Sequence, residues 1–355
     1  MSGYRKSGGN SFAKSKKFRK EVAELFIQGL ENDGLNWKKG WITDNLFPEN
    51  ASTNKQYKGV NKLYLFMMAR KNGYEDSRWM TFKQIKDAGY HLEKGAKGSK
   101  VEYFLPFDGK ERHFISWDYM NDLIKSGKRL PGDIRIYSKL YTVFNGQFIE
   151  GLPEKEKFVN KAVAVDEMVT KIAEGMGVEV TEKDQGMAYY SQGNDSITMP
   201  KKESFISSDE YNYTLLHELS HATGAEKRLN REQTSYAVDK EGYAFEELVA
   251  EVSSAFMGRY IENREGAEIP TLDNHQAYIN NWIEQIRKDP EVLMKAIKEA
   301  DKAAIYMEYK AEIILEQDFK KEMHLGEPKE AEEEKTAEKE LETAEDKEQA
   351  EEAEM

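Results

Sequence analysis

Tyr213-Thr214-Leu215-Leu216-His217-Glu218-Leu219-Ser220-His221-Ala222-Thr223-Gly224 is the stretch that decides how the chain is read. Ser207, Ser208, Asp209 and Glu210 precede it, residue types that start a helix by capping its free N–H groups and complementing its dipole. On a helix, His217 and His221 stand one turn apart on one face, as two imidazoles sharing a zinc ion require. Glu218 sits beside the first histidine, where its carboxylate reaches a zinc-bound water rather than the ion and can act as a general base. Surface helices also produce this spacing by chance, so the surroundings carry the argument.

About 25 residues further on comes Tyr243-Ala244-Phe245-Glu246-Glu247-Leu248-Val249-Ala250-Glu251. Glu247 and Glu251 are again one helical turn apart. One carboxylate can bind the metal while the next turn's accepts the outer N–H of a ligand histidine. We assign Glu247 as the third ligand and Glu251 as the histidine's partner, with Glu246 as the alternative ligand. The chain has no cysteine, which excludes disulfides, thiol nucleophiles, iron–sulfur clusters and every sulfur-ligated zinc site. His275, at a predicted helix start, reads first as a cap or core residue, with an oxyanion-stabilising role in the metal cleft as the alternative, and His91, His113 and His324 have no partner in the sequence.

The 355 residues suffice for two domains of about 100–200 residues each. Hydrophobic residues make up 39% and charged residues 33%. No stretch approaches the ~18 apolar residues of a membrane span, and the basic N-terminus lacks the apolar core of a secretory signal. The expectation is a cytoplasmic protein with no membrane partner. The net charge of −13 hides an asymmetry. Residues 1–150 hold 27 Lys and Arg against 17 Asp and Glu, residues 151–326 hold 21 against 34, and residues 327–355 hold 4 against 14. A basic half on an acidic chain points to a polyanionic partner.

The fold class read from the pattern is α+β. Apolar spacing predicts helices over residues 12–31, 60–72 and 81–88, then strands over 100–107, 112–119 and 134–148. Gly151-Leu152-Pro153 marks the expected boundary, where the charge changes sign. Beyond it, a helix over 158–175 and short strands over 188–191 and 196–199 precede helices over 209–223, 243–260, 274–288 and 290–315. This gives a nucleic-acid-binding domain over 1–150, a metallopeptidase-like domain over 151–326 and an acidic tail over 327–355. The tail has too few apolar residues to offset its ordering entropy, so it is expected to be disordered.

In the basic half, aromatic and cationic residues alternate. The candidates for nucleic-acid contact are Trp37, Tyr57, Lys58, Asn61, Tyr64, Arg78, Trp79, Lys83, Gln84, Lys97 and Lys100. Aromatic faces stack on unpaired bases while cations track phosphates, which is the chemistry of single-strand binding. Gly95 and Gly98 would let the backbone approach a phosphate closely. No helix-turn-helix or finger signature suggests duplex readout.

These residues together resemble the ArdC antirestriction family of plasmids and integrative elements. The likeness runs through most of residues 12–315. It includes the Trp37–Trp41 segment, Asn50 to Tyr64, Asp76 to Gln84, Gly95 to Gly98, Val143 to Asn145, and the two metal-site motifs. Ala222 departs from the pattern, standing where an aromatic residue is expected in many relatives. The resemblance implies a single-stranded-DNA-binding domain joined to a zincin-type, gluzincin-like zinc metallopeptidase domain. It also implies a role in shielding incoming mobile DNA from restriction, with a protein or peptide as possible substrate. The alternatives are a DNA-binding shield whose metal site is structural or vestigial, and a DNA-dependent protease that clears proteins from DNA.

Overall fold

The structure is a computed structural model that describes residues 7–33, 47–155, 165–205, 208–231, 238–260 and 275–323. The N-terminal half opens with helix α1 (Ser7–Asp33) and then builds strands β1 (Glu49–Asn50), β2 (Lys55–Gln56), β3 (Arg78–Thr81), β5 (Ser99–Asp108), β6 (His113–Phe114) and β7 (Ile134–Asn145) into one sheet. The order across it is β2-β1-β3-β7-β5-β6. Its spine is the antiparallel pair β5 and β7, in register from Ser99 opposite Val143 to Asp108 opposite Ile134. Helix α2 (Gly59–Asn72) stops at Gly73, whose φ of 67° is open to glycine at little steric cost. Helix α3 (Phe82–Asp87) starts in a capping box: Gln84 N–H donates to Thr81 Oγ1, and Thr81 N–H donates to Gln84 Oε1. A small two-stranded pair, β4 (His91–Leu92) with β8 (Ile149–Glu150), closes this half.

The strand expected over 112–119 is not formed as such. Only His113 and Phe114 pair, and Ser116 then caps helix α4 (Trp117–Lys125) by accepting the N–H of Tyr119. The alternating aromatic residues mimic a strand period, but a good N-cap serine overrides it.

In the C-terminal half, helix α5 (Val165–Met176) leads into a three-stranded sheet of order β10-β11-β9, formed by β9 (Glu179–Lys183), β10 (Tyr189–Ser191) and β11 (Ser196–Pro200). Helices α6 (Ser208–Thr223), α7 (Lys240–Met257), α8 (His275–Lys288), α9 (Glu291–Lys310) and α10 (Glu316–Glu322) follow. The helix expected over 290–315 ends earlier, at Lys310, because the chain turns there through Glu312 in the left-handed region, φ 59°, and α10 begins only at Glu316. Phe158 and Ala162, expected in the first helix of this half, lie outside the described residues, as does the segment 327–355.

The change of charge sign near Pro153 is not a break in the core. Phe18 and Phe26 of α1, Phe66 of α2, Phe256 of α7, Ile286 of α8 and Met307 of α9 belong to one buried apolar cluster. Lys62 is buried at this junction, with Nζ 3.1 Å from Asp301 Oδ1 and 4.3 Å from the Phe256 ring centroid. Arg19 of α1 binds Glu102 of β5 and Glu291 of α9 together. Among the described residues no helix is long and apolar enough to cross a membrane.

Candidate functional site

Helices α6 and α7 cross where their residues are small, with Ser220 Oγ 3.2 Å from Ser253 Oγ and Ala222, Ala250 and Ser254 buried around them. Asp239 caps α7, and the Trp282 indole N–H on α8 holds the first turn by donating to Ala244 O at 2.7 Å. This close crossing brings together the side chains that the two motifs supply. His217 Nε2 lies 3.2 Å from His221 Nε2 and 3.4 Å from Glu247 Oε2, and His221 Nε2 lies 3.5 Å from Glu247 Oε1. Four ligands arranged tetrahedrally at about 2.0–2.2 Å from an ion sit roughly 3.3–3.6 Å from one another. The three distances lie in or close to that range, with Glu247 facing the two histidines through different carboxylate oxygens. His217, His221 and Glu247 thus form a cluster that could hold a metal ion.

Around this cluster, each histidine's outer nitrogen meets a second carboxylate. Glu251 Oε2 is 3.3 Å from His217 Nδ1, and Glu246 Oε1 is 3.3 Å from His221 Nδ1. Arg231 clamps Glu246 with two bonds, of 2.7 and 3.1 Å, and also donates to Thr223 Oγ1 and Ser220 O. Glu246, the alternative ligand in the sequence, thus faces the outer side of His221. Arg231 has no signal in the sequence, because it lies in a turn without periodicity. Burial alone would lower the histidine pKa values, but Glu247 and Glu251 hold that of His217 well above its usual value. Glu246 and Glu247 similarly raise that of His221. Burial opposes charge on Glu246 and Glu247 as well, yet the facing histidines, with Arg231 beside Glu246, bring both carboxyls down to about 2.

Glu218 is buried, and its Oε2 accepts the N–H of Tyr190 at 2.8 Å from the outer edge of β10. That edge is fastened in turn. The Tyr190 hydroxyl donates to Asp195 Oδ1 at 2.7 Å, and Arg228 grips both oxygens of Asp195 at 2.7 Å. Arg228 also donates to Ala222 O and Met176 O, so one guanidinium ties the β10–β11 turn to the ends of α5 and α6. Burial and the Asp195 carboxylate push the Tyr190 hydroxyl up to about 12.

The predicted nucleic-acid residues do not form one surface. Trp79 is 0% exposed and Tyr64 2%, both inside the core, with Trp79 against Tyr74 and Tyr64 against Phe18. Neither offers a ring face to a base, which corrects the expectation for both: these rings gain more from burial than the pattern of neighbouring lysines suggests. Asn61 spends its amide on the backbone of Glu102, and Gln84 on its helix cap and on Asn50. Arg78 is held by Asp76 and the carbonyl of Pro153. Tyr57 is half-buried and accepts from Asn50, its hydroxyl pushed up to about 12 chiefly by burial. Lys58 is ion-paired with Glu322 of α10. Lys83, Lys97 and Lys100 are exposed, and Trp37 lies outside the described residues.

A metal-fitting helix pair joined to an α+β half with a long antiparallel ribbon defines a two-domain protein with a zincin-like C-terminal part. Residues 166–299 match the family model described as zincin-like metallopeptidase. Residues 16–144 match the N-terminal domain of anti-restriction factor ArdC. Among solved structures, the antirestriction protein ArdC from plasmid R388 is 28% identical in its metal-free form, with a TM-score of 0.63 over 84% of this chain and 98% of that one. Its Mn(II)-bound form is 30% identical, with a TM-score of 0.62 over 82% and 97%. The DNA primase TraC of Escherichia coli is 32% identical over 299 residues, 82% of this chain but 20% of the primase. This chain thus spans about a fifth of that relative's length. Protein y4eC of Sinorhizobium fredii (strain NBRC 101917 / NGR234) is 27% identical over 289 residues, 81% of this chain and 90% of y4eC. The chain belongs to the ArdC-like antirestriction family, with an N-terminal domain of the ArdC type joined to a zincin-like metallopeptidase domain.

Proposed function

We propose that this protein is a cytoplasmic antirestriction factor that coats single-stranded DNA through its N-terminal half and carries a metal ion on α6 and α7. The observation that carries this reading is the likeness to ArdC across both halves, on a chain whose first 150 residues are strongly basic. His217, His221 and Glu247 would hold the ion, and zinc suits two imidazoles and a carboxylate. Shielding DNA from a restriction enzyme requires occupancy of the strand, not turnover, so the metal serves first to lock α6 to α7.

A second reading, a zinc-dependent peptidase, is favoured by Glu218. A structural site has no use for a buried carboxylate beside its first ligand. An ion held there supplies Lewis-acid activation of a water. Glu218, fixed by the Tyr190 N–H, would take the proton from that water and return it to a leaving amine. The experiment is restriction protection by wild type and Glu218→Gln, with metal content and casein cleavage measured on the same preparations. Equal protection with equal metal supports the shield. Loss of protection with metal retained assigns the function to the peptidase.

A further inference from the structure

The sheet of the N-terminal half presents a row of aromatic rings with no signature in the sequence. In the β5–β7 register, Tyr103 stands opposite Lys139 and Phe107 opposite Arg135, while β6 places Phe114 opposite Phe107. Alternate residues of a strand share a face, and so do directly opposed residues. Tyr103, Phe107, Phe114, Tyr137, Lys139 and Arg135 are therefore on one face. Their contacts agree: Phe107, Phe114 and Tyr137 form a closed edge-to-face triad with centroids 5.2, 5.5 and 5.8 Å apart. Tyr103 meets Tyr141 edge-on at 6.5 Å, and Lys139 Nζ lies 5.0 Å from the Tyr141 ring centroid.

These rings meet solvent. Tyr103 is 51% exposed and Phe114 43%, Phe107 and Tyr137 are half-buried, and Arg135 is exposed. Scattered exposed aromatics need no explanation, but two groups of rings on one sheet face, with cations between them, do. The charges decide the occupant. Asp108, beneath this end of the ribbon, is neutralised by Arg129 at 2.7 Å, and Asp133 by Lys110 at 2.7 Å. Arg135 and Lys139 are the cations that share this face with the rings, on a half with 27 basic against 17 acidic residues. Aromatic sheet faces flanked by cations are a recurring platform on which unpaired bases stack.

We propose that this face of β5, β6 and β7 is where single-stranded DNA lies, with bases stacked on Tyr103 and Phe114 and phosphates paired with Arg135 and Lys139. The assignment rests on the single-strand-binding reading and gives it a surface that Trp79 and Tyr64 cannot provide. The test is fluorescence anisotropy of the full-length protein with a labelled oligothymidylate, across a salt series, with a matched duplex for comparison. Tyr103→Ala with Phe114→Ala should weaken single-strand binding by about 10-fold or more, because the bases no longer have rings to stack on. Tyr103→Phe, which keeps the ring, should bind as wild type does. Arg135→Ala with Lys139→Ala should flatten the salt slope by about 1.4, about 0.7 for each phosphate left without its cation. The melting temperature should fall only modestly, because Tyr103 and Phe114 are about half exposed and lose edge-to-face contacts rather than core packing. Wild-type affinity in the double aromatic variant overturns the platform while leaving single-strand binding intact. So does a change in that variant's self-association without a change in its DNA affinity, which would make the face an interface between copies. A wild-type protein that ignores the oligonucleotide overturns the single-strand reading itself.

Discussion

Glu246 and Glu247 are neighbours in sequence with different surroundings. Glu247 points at the two Nε2 atoms, whereas Glu246 meets the outer nitrogen of His221 and is held there by Arg231. Glu247→Ala should therefore remove the metal, read as loss of stoichiometric metal by mass spectrometry. Glu246→Ala should keep the site but weaken it by about 10–100-fold, the usual effect of losing a group that orients a ligand. If Glu246→Ala empties the site and Glu247→Ala does not, the ligand assignment is reversed. Asp195 carries a separate expectation. Burial would raise its carboxyl pKa, but Arg228, Lys227 and Tyr190 together hold it well below the ordinary aspartate value. A carboxyl depressed in the folded state stabilises fully above its unfolded pKa of about 3.9 and loses that contribution as pH falls through the folded value. Asp195→Asn should thus cost on the order of 1–3 kcal/mol at pH 7. The gap between the two proteins in urea melts should narrow below about pH 4, and a gap independent of pH would refute the argument.

Helix packing sets a different kind of constraint at Gly175. It sits near the end of α5, where a Cβ would run into the carbonyl oxygen of Lys310 at the end of α9 and lie 3.0 Å from that residue's carbonyl carbon. Alanine is the better helix former by about 1 kcal/mol, so helix propensity alone predicts a gain. A clash with backbone cannot be relieved by a rotamer change and should outweigh it, leaving Gly175→Ala destabilised by about 1–3 kcal/mol in thermal melts. A variant as stable as wild type would show that the two helices can separate at no cost. The β5–β7 ribbon shows the same dependence on partners. Its register, not its composition, determines that Tyr103 and Phe107 share a face with Arg135 and Lys139.

At the scale of the molecule, the two halves share a core, and charged groups from each are clamped across it. Arg19 binds Glu291, and Lys62 binds Asp301. On the acidic half, Glu322 of α10 pairs with Lys58 of the basic half. Residues 327–355 follow it with 14 acidic against 4 basic residues. Charges of this kind compete with DNA phosphates for the same lysines, and the competition is screened by salt. Truncation after Gly326 should tighten single-strand binding at low ionic strength and change little at high salt. Equal affinity at low salt would leave the acidic segment with a solubilising role only.

What could be read from the sequence alone was whatever a helical repeat converts directly into facing. His217 with His221, and Glu247 with Glu251, are four residues apart, and a 3.6-residue turn aligns each pair without help from the rest of the chain. The helices carrying them, the long strands β5 and β7 and the opposed charges of the halves were legible for similar reasons of period and composition. Tertiary structure alone decided which aromatic rings are buried. A tryptophan such as Trp79 stabilises a core as readily as it stacks on a base, and its neighbours in sequence do not distinguish the two. Likewise, only packing brought Arg231 to Glu246, Arg228 to Asp195 and Tyr190 to Glu218. Each of those partners is distant in sequence, and a contact between distant residues has no local period from which to read it.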